Sequence, residues 1–195
     1  SAATKKLHPD FGPSFGEQPA PYGIPITVVN IPKPAATVRF DYADESDNVK
    51  YPLTTKTLIE GGYAPTVDTG GDQHAIIVNT ATCTLYETWA TLLTKTGWTA
   101  GSGAVWSLNS NALRPEGWTS ADYAGLPIAP GLLRWEEVKN NHIDHAIRFT
   151  LAHTDRSHTW PARHLSAKAV NPNLPPAGAR FRLKQNFNTS QYSPY

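Results

Sequence analysis

Asp72, His74, Asp122 and His145 are the residues in this chain whose types and placement best suit proton transfer. An imidazole beside a carboxylate exchanges protons near neutral pH, which is the working arrangement of general acid–base catalysis. Gly70-Gly71 precedes Asp72 and lets the backbone turn sharply, so that carboxylate is expected at a strand entrance. Asp122 follows Thr119 by three residues, as in a capping box, where the free N–H groups of a first helical turn favour an ionised carboxylate. His145 is expected on a strand leaving the same passage. These four form the predicted catalytic set; the competing reading makes Asp122 a cap and both histidines hydrogen-bonded core residues.

Other constellations carry less. His142 and His145 would share a side only on a helix, and the alternation of Ile143 to Leu151 predicts a strand that points the two rings apart. A zinc site would have to recruit partners such as His74 or His164, with no Cys pair or HExxH to help, so no metal and no cofactor are expected. Ser120 has no GxSxG elbow around it. The acidic run Asp44 to Asn48 lacks the spacing and glycine of a calcium loop and reads as a solvated turn.

Glycoside cleavage needs two carboxyl groups across a sugar-sized gap. Glu87 alternates with Cys83, Leu85 and Trp89 on an otherwise apolar face and is counted among the ligand-binding residues. A bend or bulge that turns it to solvent is the alternative. Trp98, Trp118 and Trp160 stand in loop-like contexts where sugar faces could pack on them, and Arg148 adds a cation to the same predicted ligand-binding set.

These residues have to be positioned by a chain of 195 residues, long enough for one domain with a sizeable core. Lys and Arg number 17 against 16 Asp and Glu, for a net charge of +1, which argues against a nucleic-acid surface. No stretch approaches the about 18 apolar residues of a membrane span. Charged residues make up only 17%, with 17 Pro, 14 Gly and no Met, the composition of a loop-rich extracellular β protein. A start at Ser1 is what removal of a signal peptide would leave. The single cysteine, Cys83, is expected as a small buried side chain. Asn188-Thr189-Ser190 is a glycosylation acceptor pattern.

Five prolines within residues 1–25 predict an extended arm anchored by Phe11, Phe15 and Tyr22, leaving residues 26–195 as one domain. Strands are predicted at Ile26 to Ile31, Thr37 to Tyr42, Ala75 to Asn79, Cys83 to Trp89, Ala104 to Asn109, Ile143 to Leu151 and Ala179 to Lys184. Helical spacing is confined to a turn after Thr119 and to Gly131 to Lys139, between residues 119 and 140. The pattern predicts a mainly β fold, an antiparallel sandwich or jelly roll.

The strings GGDQHAIIV, LRPEGWTSADYAGLPIAPGL, DHAIRF and WPARH resemble a family of secreted microbial proteins of uncharacterised function. Its members read LRP-x-GWTSAD-x-AGLPI-x-PGL at the centre and are sometimes attached to carbohydrate-binding modules. The resemblance runs over roughly residues 8–190 and assigns no catalytic role. It implies secretion into polysaccharide-rich surroundings. Members of that family continue past the position of Tyr195, and FNTSQYSPY offers no closing element, so a further C-terminal segment or a companion chain is expected. Together these readings predict a secreted carbohydrate-active protein, a glycoside hydrolase or polysaccharide lyase, whose partner is a glycan. The alternative is a non-catalytic glycan-binding or extracellular structural module.

Overall fold

The hydrophobic run Ala75-Ile76-Ile77-Val78 has no polar alternate, which is the mark of a strand covered on both faces. The computed structural model, which describes residues 8–9, 23–165 and 170–192, places it at the centre of the molecule. Strand β4 (Ala75–Asn79) forms a hairpin with β5 (Thr84–Trp89), pairing Ile76 with Glu87 and Ile77 with Tyr86. The sheet is completed by β2 (Ile26–Val29) and β8 (Ser102–Ser107), in the order β2-β4-β5-β8. A second sheet has the order β3-β7-β6, from β3 (Val38–Phe40), β6 (Leu92–Thr94) and β7 (Gly97–Ala100). Two short strands, β1 (His8–Pro9) and β9 (Phe149–Thr150), pair antiparallel.

Ala75, Ile77 and Tyr86 on one face of the central sheet pack with Val38 and Ala100 of the second sheet around Tyr51 and Ile59. On the other face Ile76 and Leu85 pack against Ala121, Ile128 and Leu132. That second cover is mostly irregular backbone. It contains a single turn of 3-10 helix at Ala129–Gly131 and leads into α1 (Trp135–Lys139), the one α-helix among the described residues.

The mainly β class is therefore as expected, and the one α-helix among the described residues falls within Gly131 to Lys139, but the sheets are mixed rather than antiparallel. Strand β2 runs parallel to β4 and β3 parallel to β7. Each of these pairs is joined by a long connection, which parallel pairing requires.

Several finer expectations fail for identifiable reasons. Ile143 to Leu151 is not one strand: only Phe149 and Thr150 find a ladder partner. Ala179 to Lys184 has none, and its apolar alternates Phe181 and Leu183 are exposed, Phe181 resting edge-on against Phe149 at 5.3 Å between centroids. Alternation supplies a face but not a neighbour. The turn after Thr119 is not helical, because the Ser120 hydroxyl accepts from Asp122 N (3.0 Å) and donates to the Leu126 carbonyl (2.6 Å), a side-chain alternative to helix bonds. Helix α1 begins only at Trp135, so Leu132 is buried while Trp135 is exposed. Cys83 is exposed in the hairpin turn at φ 48° instead of buried. Phe11, Phe15 and Tyr22 of the expected arm lie outside the described residues.

The irregular layer is fastened to the sheets by Arg114. Its guanidinium is buried, pairs with Asp47, and donates to the carbonyls of Glu45 (2.9 Å) and Thr119 (2.6 Å). It lies between the rings of Trp106 and Trp118, 5.6 and 5.4 Å from their centroids. Asp47 in turn accepts from Val105 N of β8 at 2.9 Å. Nearby, a Cβ on Gly103 would fall 2.5 Å from the Phe40 ring and 2.6 Å from the Tyr51 hydroxyl.

Two substitutions test this packing in urea unfolding. Arg114→Ala is expected to cost about 3–5 kcal/mol by stranding Asp47 and two carbonyls, and Arg114→Lys to recover little, since an ammonium cannot reproduce the planar fork. Gly103→Ala is expected to cost about 1–3 kcal/mol by overpacking. A loss under about 0.5 kcal/mol, the usual range for a surface change, would contradict either account.

Candidate functional site

The site begins with backbone geometry. Gly70 takes φ 67° and supplies the expected turn, but the decisive residues are two non-glycines in the left-handed region, Gln73 (φ 47°) and Ala90 (φ 53°). Such conformations cost free energy and persist only where surroundings impose them. Gln73 is held by its own buried amide, which accepts from Thr69 N (3.1 Å) and donates to the Thr91 carbonyl (3.0 Å). Ala90 N donates to the Asp72 carbonyl at 2.8 Å, and Thr91 N to that of Gln73 at 3.2 Å. The chain thereby leaves Asp72 exposed and sends His74 inward. Trp89, next to Ala90, donates its indole N–H to Asp72 Oδ1 at 2.9 Å.

His74 is buried with both ring nitrogens engaged. Nδ1 lies 2.8 Å from Glu60 Oε2 and Nε2 lies 3.1 Å from the Ala121 carbonyl. Glu60, also buried, is tied to the same residue through its backbone, donating its N–H to the His74 carbonyl at 2.8 Å. Burial alone would depress the ring's pKa. The hydrogen bond and charge of Glu60, with the charge of Asp72, outweigh it and hold that pKa above the ordinary value.

These groups open onto a cleft of about 510 Å3 between the edge of the central sheet and the irregular layer. Asp72, His74 and Trp89 line one side; Ser120, Asp122 and Tyr123 line another, with Tyr42, Glu45, Arg148 and His164 closing it. Arg148 Nη2 donates to Asp122 Oδ1 at 3.1 Å, while its backbone N–H donates to the Gly131 carbonyl at 2.9 Å. Glu45 accepts from Thr119 N at 3.2 Å and faces His164 Nε2 at 3.5 Å.

Three of the four predicted catalytic residues, Asp72, His74 and Asp122, thus meet in one cleft, joined by the predicted ligand-binding Arg148. His145 does not join them. Its Nε2 pairs with Glu137 Oε1 at 2.9 Å and its Nδ1 approaches the Ala146 carbonyl, because the strand meant to carry it is absent. Glu87 is neither turned to solvent nor in the cleft lining. It is fully buried, and its carboxyl accepts from Ile128 N and Ala129 N at 2.8 to 3.0 Å, anchoring the irregular layer.

The three predicted tryptophans also lie outside the lining. Trp98 packs on the core between the sheets, Trp118 covers Arg114, and Trp160 is exposed beside Arg180, 5.8 Å from ring centroid to guanidinium. The indole in the cleft is Trp89, which the sequence placed on an apolar strand face. Glu60 was also missed. Its only signal is the following Gly61-Gly62, where both residues adopt positive φ, 77° and 75°.

No family model, curated protein or solved structure matches the chain. The functional reading therefore rests on the cleft. Three carboxylates, a guanidinium and the faces of an indole and two phenols form a polar pocket able to bind a hydroxylated ligand and to exchange protons with it.

Glu87 provides a pH test of the layer beneath. Burial lifts its carboxyl from the usual 4.5 to about 7, against the opposing pull of the Ala129 and Ile128 N–H groups. A carboxyl with a raised folded pKa contributes stability below its unfolded pKa and loses it as pH rises through the folded value. Wild-type stability is therefore expected to fall relative to Glu87→Gln between about pH 4.5 and about 7, measured by thermal unfolding across that range. Parallel profiles for the two proteins would show that folding leaves the Glu87 pKa unchanged.

Proposed function

We propose that the chain is an extracellular carbohydrate-active protein that holds a glycan segment in the cleft and cleaves it by acid–base chemistry. The observation that supports this most is the convergence of Asp72 and Asp122 on one cleft with Arg148 and the Trp89 ring. In the hydrolytic route one carboxyl group gives a proton to the departing glycosidic oxygen while the other takes one from the attacking water. In an eliminative route Arg148 neutralises a uronate carboxylate, a base removes the adjacent C–H proton, and the glycosidic bond breaks to leave an unsaturated sugar. Trp89 and Tyr42, whose ring centroids lie 6.3 Å apart, offer apolar surface to sugar C–H faces. On this reading His74 sets the local field and fixes the backbone, because both of its nitrogens are committed within the chain, to Glu60 and to the Ala121 carbonyl.

The two larger sheets then act as the leaves of a sandwich, with the irregular layer carrying the site. A composition poor in charge and rich in Pro and Gly supports the extracellular setting.

A second reading, glycan binding without cleavage, is favoured by one observation. Asp72, His74 and Asp122 each have a hydrogen-bond partner within the chain. Incubation with a polysaccharide panel, read as new reducing ends and as unsaturated products, separates the two. Cleavage is expected, and Asp72→Asn and Asp122→Asn are each expected to slow it by about 100-fold or more. Glycan retention with no product from any substrate would establish the binding module. Cleavage unaffected by both substitutions would place the chemistry elsewhere.

A further inference from the structure

We infer that Glu60, Asp72 and His74 form a binding site for one divalent transition-metal ion, of the zinc or manganese type, in the wall of the cleft. One oxygen or nitrogen from each residue can be chosen so that all three donor atoms lie within 4.8 Å of one another. One imidazole and two carboxylates are a mixed donor set, suited to ions that accept both nitrogen and oxygen.

The orientation of the imidazole is the strongest support. The Ala121 carbonyl, 3.1 Å from Nε2, can only accept, so Nε2 carries the hydrogen and Nδ1 is the nitrogen turned toward Glu60. Metal-ligating histidines are fixed in this way, one nitrogen on the metal and the other donating to a backbone carbonyl. Without the ion, a proton on Nδ1 bridges to Glu60 Oε2 at 2.8 Å, and a bound metal would take that proton's place. With metal–ligand bonds of about 2.1 Å, adjacent ligand atoms lie about 3.0 Å apart at octahedral angles. The ring and Glu60 need open by only a few tenths of an ångström.

Charge balance points the same way. The carboxylates of Glu60 and Asp72 both act on the ring and would give the ion two anionic ligands. Two anionic ligands match the charge of one divalent ion. Asp72 is exposed and uses Oδ1 for the Trp89 indole, so Oδ2 remains to close on the ion. Because Asp72 and His74 line the cleft while Glu60 lies behind them, the remaining coordination positions face the cleft. This deepens the reading of the cleft by making Asp72 a ligand and a metal-bound water the proton source. Its test needs no glycan, so either can fail alone.

The full chain, stripped with a chelator, is titrated with Zn2+ and with Mn2+ by calorimetry, alongside Ca2+. One saturable site per chain is expected for at least one of the first two, with weaker binding of Ca2+, which disfavours nitrogen donors. Asp72→Asn changes an exposed side chain and should leave the fold intact by circular dichroism while lowering affinity at least about tenfold, the low end for a perturbed metal shell. His145→Ala removes the separate imidazole–carboxylate pair with Glu137 and should leave binding unchanged. The ion should also raise the unfolding temperature of the wild type and not that of Asp72→Asn. Absence of saturable binding for both ions, binding indifferent to Asp72→Asn, or binding lost in His145→Ala would each overturn the site.

Discussion

The guanidinium of Arg114 is the interaction on which the arrangement of this molecule depends. A buried charge is tolerated only when its donors are satisfied and a counter-charge is close. Arg114 meets that condition by drawing three separate stretches together: the turn at Glu45 to Asp47, the edge strand β8 through Asp47, and the backbone at Thr119. Two of those stretches furnish walls of the cleft. Glu45 and Thr119 line it, and they meet each other through the Thr119 N–H. The arginine of the LRP string therefore places the site without entering it.

A broader rule lies behind this. A chain with so much irregular backbone has many N–H groups that no ladder satisfies, and buried ones must still find acceptors. Here side chains take over that task. Glu87 serves Ile128 and Ala129, Ser46 serves Gly103, Asn79 serves Ile31, and Gln73 serves Thr69. Several buried polar residues that look like candidates for chemistry are thus substitutes for sheet hydrogen bonds. Glu87 is the clearest case. Its position, burial and raised pKa would all suit a catalytic acid, yet its carboxyl faces two amides and not the cleft.

How much of this was legible in the sequence follows from whether a signal is local. The hairpin from Ala75 to Trp89 was legible because apolar runs and a short turn specify it from within. The face on which Glu87 lies followed from alternation alone. The meeting of Asp72, His74 and Asp122 was legible in part, because Gly70 supplies the turn into Asp72 and the polar string around Ser120 fixes the third. The parallel pairing of β2 with β4 was not, since it depends on where a long connection returns. His145 was misplaced for a related reason: alternation from Ile143 to Leu151 describes a strand, but no neighbouring strand exists to receive most of it. Glu60 was invisible because its importance comes entirely from His74, a residue whose inward turn is imposed by the left-handed Gln73 between it and Asp72.

Gly101 sits where the chain leaves β7 for β8 and so passes from one sheet to the other. Its φ is not in the left-handed region, so the backbone conformation alone does not call for glycine. What excludes a side chain is the Trp89 ring, which would lie 2.2 Å from an added Cβ. The same indole holds Asp72 by its N–H. Glycine at this position is therefore demanded by the cleft and not by the backbone, and the range of residues tolerated at a sheet crossing becomes a measure of how strictly one carboxylate must be aimed.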